Sequence, residues 1–310
     1  MPSIDILSRI PNKKVNLLDH GYIMLVDCMP RLVEEGRDHE LVDSMDTAIV
    51  NAARTSYSAG RTKPLTKDRD LIRRLMREYH TSPFEQCEFK FEIKAPIYVH
   101  RQLLRHRTAS VNEESGRYSI LKDEMHLPTS FRQNTSADKQ ATVDIGNWEP
   151  LTTDGQKASM LIEEYYETTY NLYRDLLDSN ISREQARIVL PVATYSTLVW
   201  KMDLLNLLKF CRLRSDLHAQ YEIRIYSDQI LDWIKILAPN TYEAFMDYWV
   251  NSVTFSPAEI QILKTFILHK VDFNKLIDYV NNESPSKLNL SKGETNNLIH
   301  KISNLKLDKD

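Results

Sequence analysis

The sequence predicts an α+β fold dominated by helices. Residues 87–94, "CEFKFEIK", alternate strictly, with Cys87, Phe89, Phe91 and Ile93 opposing Glu88, Lys90, Glu92 and Lys94. That is a strand with one wet face. From Ser159 to about residue 250 the apolar spacing is helical almost without relief. Only seven glycines in 310 residues argue against a doubly wound, loop-rich nucleotide fold.

In chain order, "GYIMLVDCM" (21–29) reads as an early buried strand. "LVDSMDTAIVNAAR" (41–54) and "DRDLIRRLMREYH" (68–80) have helical spacing, and in the second Leu71, Ile72, Leu75, Met76 and Tyr79 share a face. After the 87–94 strand, Pro96 suits the first turn of a helix carrying "IYVHRQLLRH". There Leu103 and Leu104 are expected to face inward, with Gln102 and Arg105 toward another side. Residues 128–157 are polar and turn-rich, a surface excursion. "SMLIEEYYETTYNLYRDLLDS" gives one long amphipathic helix, and "SREQARIVLP" opens on a Ser182-x-x-Gln185 capping box and stops at Pro191. A further helix pair spans 203–239, with Asp203 as its N-cap. Beyond that the composition shifts: residues 255–310 hold one capped amphipathic helix and a lysine- and asparagine-rich tail. They read as an appendage to a 1–254 core.

Composition narrows the function classes. Hydrophobic residues at 42% and charged residues at 27% are those of a globular protein. A net charge of -3 argues against a coat for nucleic acid. No apolar run approaches the roughly 20 residues of a membrane span, and the first residues lack a secretory layout. Cys28, Cys87 and Cys211 are scattered and odd in number, which supports neither a disulfide framework nor a zinc site. A cytoplasmic setting is expected.

The densest chemistry lies in "RQLLRHRTASVNEESGRYS" (101–119), with four arginines and one glycine, Gly116. A glycine-poor anion site must use side-chain forks, and guanidinium binds phosphate or carboxylate oxygens bidentately. Arg105, Arg107 and Arg117 are close enough to need an acid or anionic ligand between them, and Glu113 offsets one charge. Ser110, Asn112 and Ser115 supply short neutral groups able to read an imide edge. A uracil nucleotide fits that inventory; so does a solvated basic helix end with its own salt bridges.

"RHR" at 105–107, seven residues and then Ser115, inside "RQLLRHRTASVNEESGRYS", resembles the signature of the flavin-dependent thymidylate synthases. "HTSPFEQCEFKFEIKAPIYVHRQ" (80–102), "SREQARIVLP" (182–191) and "RLRSDLHAQYEIR" (212–224) resemble that family's other landmarks in the same order, so the likeness covers roughly 20–250. The resemblance implies a helix-rich α+β fold around a central, mostly antiparallel sheet, assembled as a homotetramer with active sites at subunit interfaces. It implies methylation of dUMP to dTMP with methylenetetrahydrofolate as carbon donor, NADPH as reductant and FAD as hydride carrier.

Carried onto this sequence, the resemblance places Gln102, Leu103, Leu104 and Arg105 against the nucleotide on one subunit. Glu113, Glu114, Ser115, Gly116 and Arg117, with Arg187, close over it from a neighbour, Arg117 and Arg187 meeting phosphate. Arg105, His106, Arg107 and Glu113 also touch FAD, as does Ser82 from another chain, and Asp203, Leu204, Leu205 and Lys209 match a further flavin-contacting stretch. Positions 205 and 209 often carry Arg, His or Asn in that family. Here Leu205 is left with backbone and apolar contact, and Lys209 with a point charge for a pyrophosphate. Arg214 takes the catalytic role by resemblance, favouring the N3-ionised pyrimidine; read alone, it is a helix C-terminal arginine meeting the dipole.

The other nucleophiles and ligands are weaker. Ser115 lacks a Ser-His-acid order and reads as a substrate-binding hydroxyl. Cys87 and Cys211 sit in apolar phase and read as core. His80 either lines the folate or nicotinamide side of the flavin or ends a helix, and His218 reads as a hydrogen bond between helices. No HxxxH or HExxH pair suggests a metal. Two other classes share the residues: a single-strand nucleic-acid binder using the arginines, and a catalytically dead helical scaffold engaging partners through 255–310.

Overall fold

The computed structural model describes residues 3–34, 44–56, 68–134, 142–144, 149–255, 257, 273–282, 292–296 and 298–299. The strands are β1 (Ser3–Asp5), β2 (Lys14–Leu17), β3 (Gly21–Met29), β4 (Leu32–Glu34), β5 (Glu88–Pro96), β6 (Ser110–Glu113), β7 (Arg132–Asn134), β8 (Thr142–Asp144) and β9 (Tyr195–Asp203). The helices are α1 (Met45–Arg54), α2 (Asp68–Arg77), α3 (Ile97–Leu103), α4 (Ala158–Asp178), α5 (Arg183–Ala186), α6 (Leu204–Arg214), α7 (Tyr221–Leu237), α8 (Pro239–Phe245) and α9 (Phe273–Asn282). The expected α+β class is what the chain adopts.

Its centre is a five-stranded antiparallel sheet in the order β2-β3-β5-β9-β6. The alternation in 87–94 does what its period demands. Phe89, Phe91 and Ile93 are fully buried on one face, and Lys90 on the other is exposed. Register carries this across the sheet: Phe91 pairs with Leu25 and Trp200, and Ile93 with Ile23 and Leu198, all buried. Helices α1, α2, α3, α6, α7 and α8 contribute to the same core. The opposite face is polar, tied by Tyr22 Oη to Glu92 (2.7 Å), Lys201 Nζ to Glu88 (2.8 Å) and Lys94 Nζ to Glu124 (2.6 Å).

Several local expectations change in the structure. "GYIMLVDCM" is a strand, but its burial alternates and Val26 and Met29 are exposed, because its second face is the sheet's wet face. Helix α2 stops at Arg77, and Tyr79, at φ 59, lies in the left-handed region. Its ring therefore leaves the Leu71–Met76 face and stacks on Trp249 at 5.9 Å. Pro96 ends β5 and stands as N-cap to α3 rather than inside its first turn. Leu103 turns inward as expected, whereas Leu104 is 40% exposed because the helix ends there. Ser182 caps α5 without a side-chain bond to backbone; its hydroxyl meets Gln185 at 3.4 Å instead. Asp203 caps α6 as expected, accepting from Asn206 N at 2.9 Å. Cys28, Cys87 and Cys211 are buried, and burial pushes each thiol up to about 12, which leaves them packing groups.

The capped helix expected near 256–270 lies mostly outside the described residues. A later part of the same segment meets the core: Glu294 bonds Nε of buried Arg73 on α2 at 2.6 Å, beside Asp247 at 2.6 Å and Glu243 at 3.1 Å. No helix among the described residues is long and apolar enough to cross a membrane.

Candidate active site

The nineteen-residue motif begins on α3, turns at residues 104–109 and continues as the edge strand β6. Its residues separate into two clusters.

The first forms where the end of α3 meets the end of α6. Arg214 donates from Nε to His106 Nε2 at 3.3 Å and from Nη1 to Gln102 Oε1 at 3.2 Å. Gln102 also bonds the side chain of Gln220, at the start of α7. His106 sits edge-on to Phe210 at 4.9 Å, and Phe210 packs on Trp200 at 5.1 Å, so the imidazole is braced against the sheet's core. Burial and the nearby Arg214 charge hold His106 down to about 4. Burial and the Arg105 charge lower Arg214. Gln102, Arg214 and Gln220 line one side of a cleft of about 580 Å³. Arg105 and Arg107 are exposed and make no hydrogen bond or ion pair with another described residue.

The second cluster surrounds the turn after β6. Gly116 is buried, and a Cβ there would stand 3.1 Å from Arg187 Cδ and 3.3 Å from Leu121 Cδ1, so the missing side chain is the space Arg187 occupies. Arg117 pairs with Glu184 at 3.0 Å, both more than half exposed. Ser115 accepts from Arg117 N at 3.3 Å, and Glu114 N bonds Thr197 O at 2.8 Å. Glu113 does not neutralise an arginine, as the sequence suggested. Its Oε1 lies 2.8 Å from Nδ1 of His100, because strand register turns it toward α3. That bond, opposed by burial, holds the Glu113 carboxyl below its ordinary range. Among the described residues no hydrogen bond or ion pair joins the two clusters.

The remaining candidates fall elsewhere. Ser82 and His80 line a separate cleft of about 750 Å³ between α1, α2 and the 82–86 turn. Lys209 and Asp203 are accessible on α6, but Leu204 and Leu205 are 0% and 2% exposed. Those two side chains, like Leu103 at 0%, are core residues, so only backbone is left to them for a ligand. The reason is plain for α6: its first turn must bury leucines against the sheet that Asp203 ends. His218 is exposed and bonds Asp216 two residues away, not another helix. No group of three or more His, Cys, Asp or Glu among the described residues is arranged to hold a metal ion.

Sequence reasoning missed His100, Gln220 and Glu184. A polar residue between buried Val99 and Leu103 was the available signal for His100.

The chain is similar to several known proteins. A family described as "Thymidylate synthase complementing protein" matches residues 40–240. A flavin-dependent thymidylate synthase of Ehrlichia ruminantium (strain Gardel) is 41% identical over 262 residues, covering 84% of this chain and 82% of its own. One from Dictyostelium discoideum is 41% identical over 263 residues, covering 84% and 83%. Among solved structures, the UMP/dUMP methylase PolB from Streptomyces cacaoi, bound with 5-Br dUMP, superposes with a TM-score of 0.62 at 34% identity, over 76% of this chain and 98% of that one.

Proposed function

The chain belongs to the flavin-dependent thymidylate synthase family, and from that membership we propose that it methylates dUMP to dTMP. The observation that carries the reading is the contact of Arg214 with both Gln102 and His106. It builds a half-buried cation into the wall of a cleft, at the position where the family's signature and its arginine landmark meet.

A carbon nucleophile at C5 of uracil requires electron density to accumulate on O4 and N3. A fixed cation near those atoms lowers that barrier, and it does so best when little water must be reorganised. Half-buried Arg214 meets that requirement. Its two protein bonds hold the guanidinium plane in one orientation while leaving further N–H groups for the pyrimidine. Gln102, fixed by Gln220, presents an amide to the same space.

The second cluster suits the phosphate end. The Arg187 side chain lies over Gly116, in the turn where the Arg117 backbone N–H meets the Ser115 hydroxyl, and the Arg117 fork, held by Glu184, is exposed beside it. The two clusters serve one nucleotide if they come from different copies of the chain in a homotetramer. That arrangement also explains why they do not meet within one copy.

The exposed, unpaired Arg105 and Arg107, with Lys209, fit the pyrophosphate of FAD; Ser82 in its own cleft fits a contribution from another subunit. Asp203 fits through its carboxylate, and Leu204 and Leu205 through backbone only. When bound, flavin carries hydride between NADPH and the one-carbon unit supplied by methylenetetrahydrofolate. No cysteine adduct is required, in keeping with three buried thiols of high pKa.

The test is an absorption spectrum of the purified protein, then anaerobic reduction by NADPH with and without dUMP, then assay of dTMP. Yellow protein that releases FAD on denaturation and forms dTMP is expected. A colourless preparation that does not take up FAD overturns the reading.

A further inference from the structure

We propose that His100 is a positioning residue that holds the Glu113 carboxylate in its ligand-facing conformation. The inference rests on the proposed function and on the expectation, carried over by the family resemblance, that Glu113 meets nucleotide and flavin.

Consider first where Glu113 stands. Among the described strands, β6 pairs on one side only, with β9. Its register sets Glu113 opposite Leu198, which pairs with Ile93, which pairs with Ile23. All three of those residues are buried on the core face. Partners in a ladder share a face. A carboxylate has therefore been placed at the core side of the sheet's edge, where an apolar residue would satisfy the pattern. A partly buried carboxylate needs donors there; the Ser196 side chain of β9 supplies a lesser one and His100 the main one.

Now consider the donor. His100 is 1% exposed, between the equally buried Val99 and Leu103 on α3. Its Nδ1 meets Glu113 Oε1 at 2.8 Å, and its Nε2 is buried with no partner among the described residues. A carboxylate only accepts, so Nδ1 carries the proton. The ring thus spends its one polar tie on Glu113 and leaves the other nitrogen unmet. A leucine or phenylalanine would fill the same space without stranding a polar atom. The imidazole is locked by its burial, whereas about a third of the Glu113 side chain remains exposed. The rigid partner aims the accessible one. The depressed Glu113 carboxyl, whose first cause is this bond, accords with an acceptor kept ionised.

The experiment compares His100→Leu, His100→Asn and His100→Gln in the full-length protein. The readouts are KM and kcat for dUMP, the dissociation constant of dUMP by calorimetry, FAD content and Tm. Asparagine puts an N–H near the Nδ1 position, and glutamine puts one near Nε2, away from Glu113. His100→Leu and His100→Gln should weaken dUMP binding about tenfold, the loss expected for one charge-assisted hydrogen bond, and His100→Asn should recover most of it. Combining His100→Leu with Glu113→Gln should weaken binding no further than Glu113→Gln alone.

Unchanged dUMP affinity in His100→Leu overturns the proposal, as does an additive double variant. If the leucine variant does not fold, equal affinities for the asparagine and glutamine variants overturn it. Failure of the wild type to bind FAD or form dTMP is a separate result, and defeats the proposed function instead.

Discussion

Arg214 donates its Nε–H to Nε2 of His106 across 3.3 Å, and that bond fixes the state of the imidazole. A guanidinium has no acceptor, so Nε2 must offer a lone pair and the ring is neutral with its proton on Nδ1. The same contact explains why His106 is held down to about 4: a second positive charge would face the first in a half-buried site. The RHR motif thus brings together two different kinds of group, exposed guanidiniums at 105 and 107 and a neutral imidazole between them.

From this follows the expectation for Arg214→Lys. An ammonium keeps the charge but loses the planar fork, so it cannot hold His106, Gln102 and a pyrimidine at once. Turnover should fall at least about a hundredfold, the scale of losing one preorganised donor, while bound FAD is retained. Steady-state dTMP formation beside flavin content checks it; unchanged turnover removes the catalytic role.

The pH dependence of stability carries a defined sign. The folded pKa of His106, about 4, lies below the ordinary imidazole value of 6.5, so between these pH values the unfolded chain binds more protons. Stability must then rise with pH across that window, and the penalty is fully present below it. Allowing for solvent screening of a half-buried ring, the contribution is about 1–2 kcal/mol. His106→Asn should flatten the Tm profile between pH 4 and 6.5 relative to wild type; parallel profiles would contradict the assignment.

Gly116→Ala isolates the Arg187 contact. No backbone strain arises, because Gly116 is not among the positive-φ residues. The new methyl would crowd Arg187 Cδ at 3.1 Å and must displace that flexible side chain. Stability should change by less than about 1 kcal/mol, whereas dUMP affinity should fall about tenfold if Arg187 grips phosphate. Calorimetry with dUMP and with deoxyuridine separates the cases: deoxyuridine binding should be unaffected.

What was legible in the sequence follows periodicity and local chemistry. The 87–94 strand and the Asp203 cap depend on neighbours a few residues away, and both appear as expected. Tyr79 and Leu104 were misplaced by extending a helical spacing past the true helix ends. The Glu113 partner was illegible for a different reason. His100 is thirteen positions back, and only the β6–β9 register decides which face Glu113 takes. Likewise Arg117 reaches Glu184 only because α5 packs beside the Gly116 turn. The resemblance could name Leu103, Leu204 and Leu205 as site positions, but the core those leucines fill is a tertiary fact.

Removing residues 255–310 tests the appendage, and Arg73 sets the outcome. Its guanidinium side chain is 3% exposed and meets Glu294 from that segment, but also Asp247 and Glu243 from the core. Truncation therefore leaves the buried cation two carboxylates rather than none, which avoids the 3–5 kcal/mol loss typical of a stranded buried charge. It also opens Arg73 to water where Glu294 lay. The truncated chain should stay folded and bind FAD, with a Tm lower by several degrees. Substituting Glu294→Gln in the full chain should reproduce part of that shift. If truncation abolishes folding, residues 255–310 belong to the core and not to an appendage.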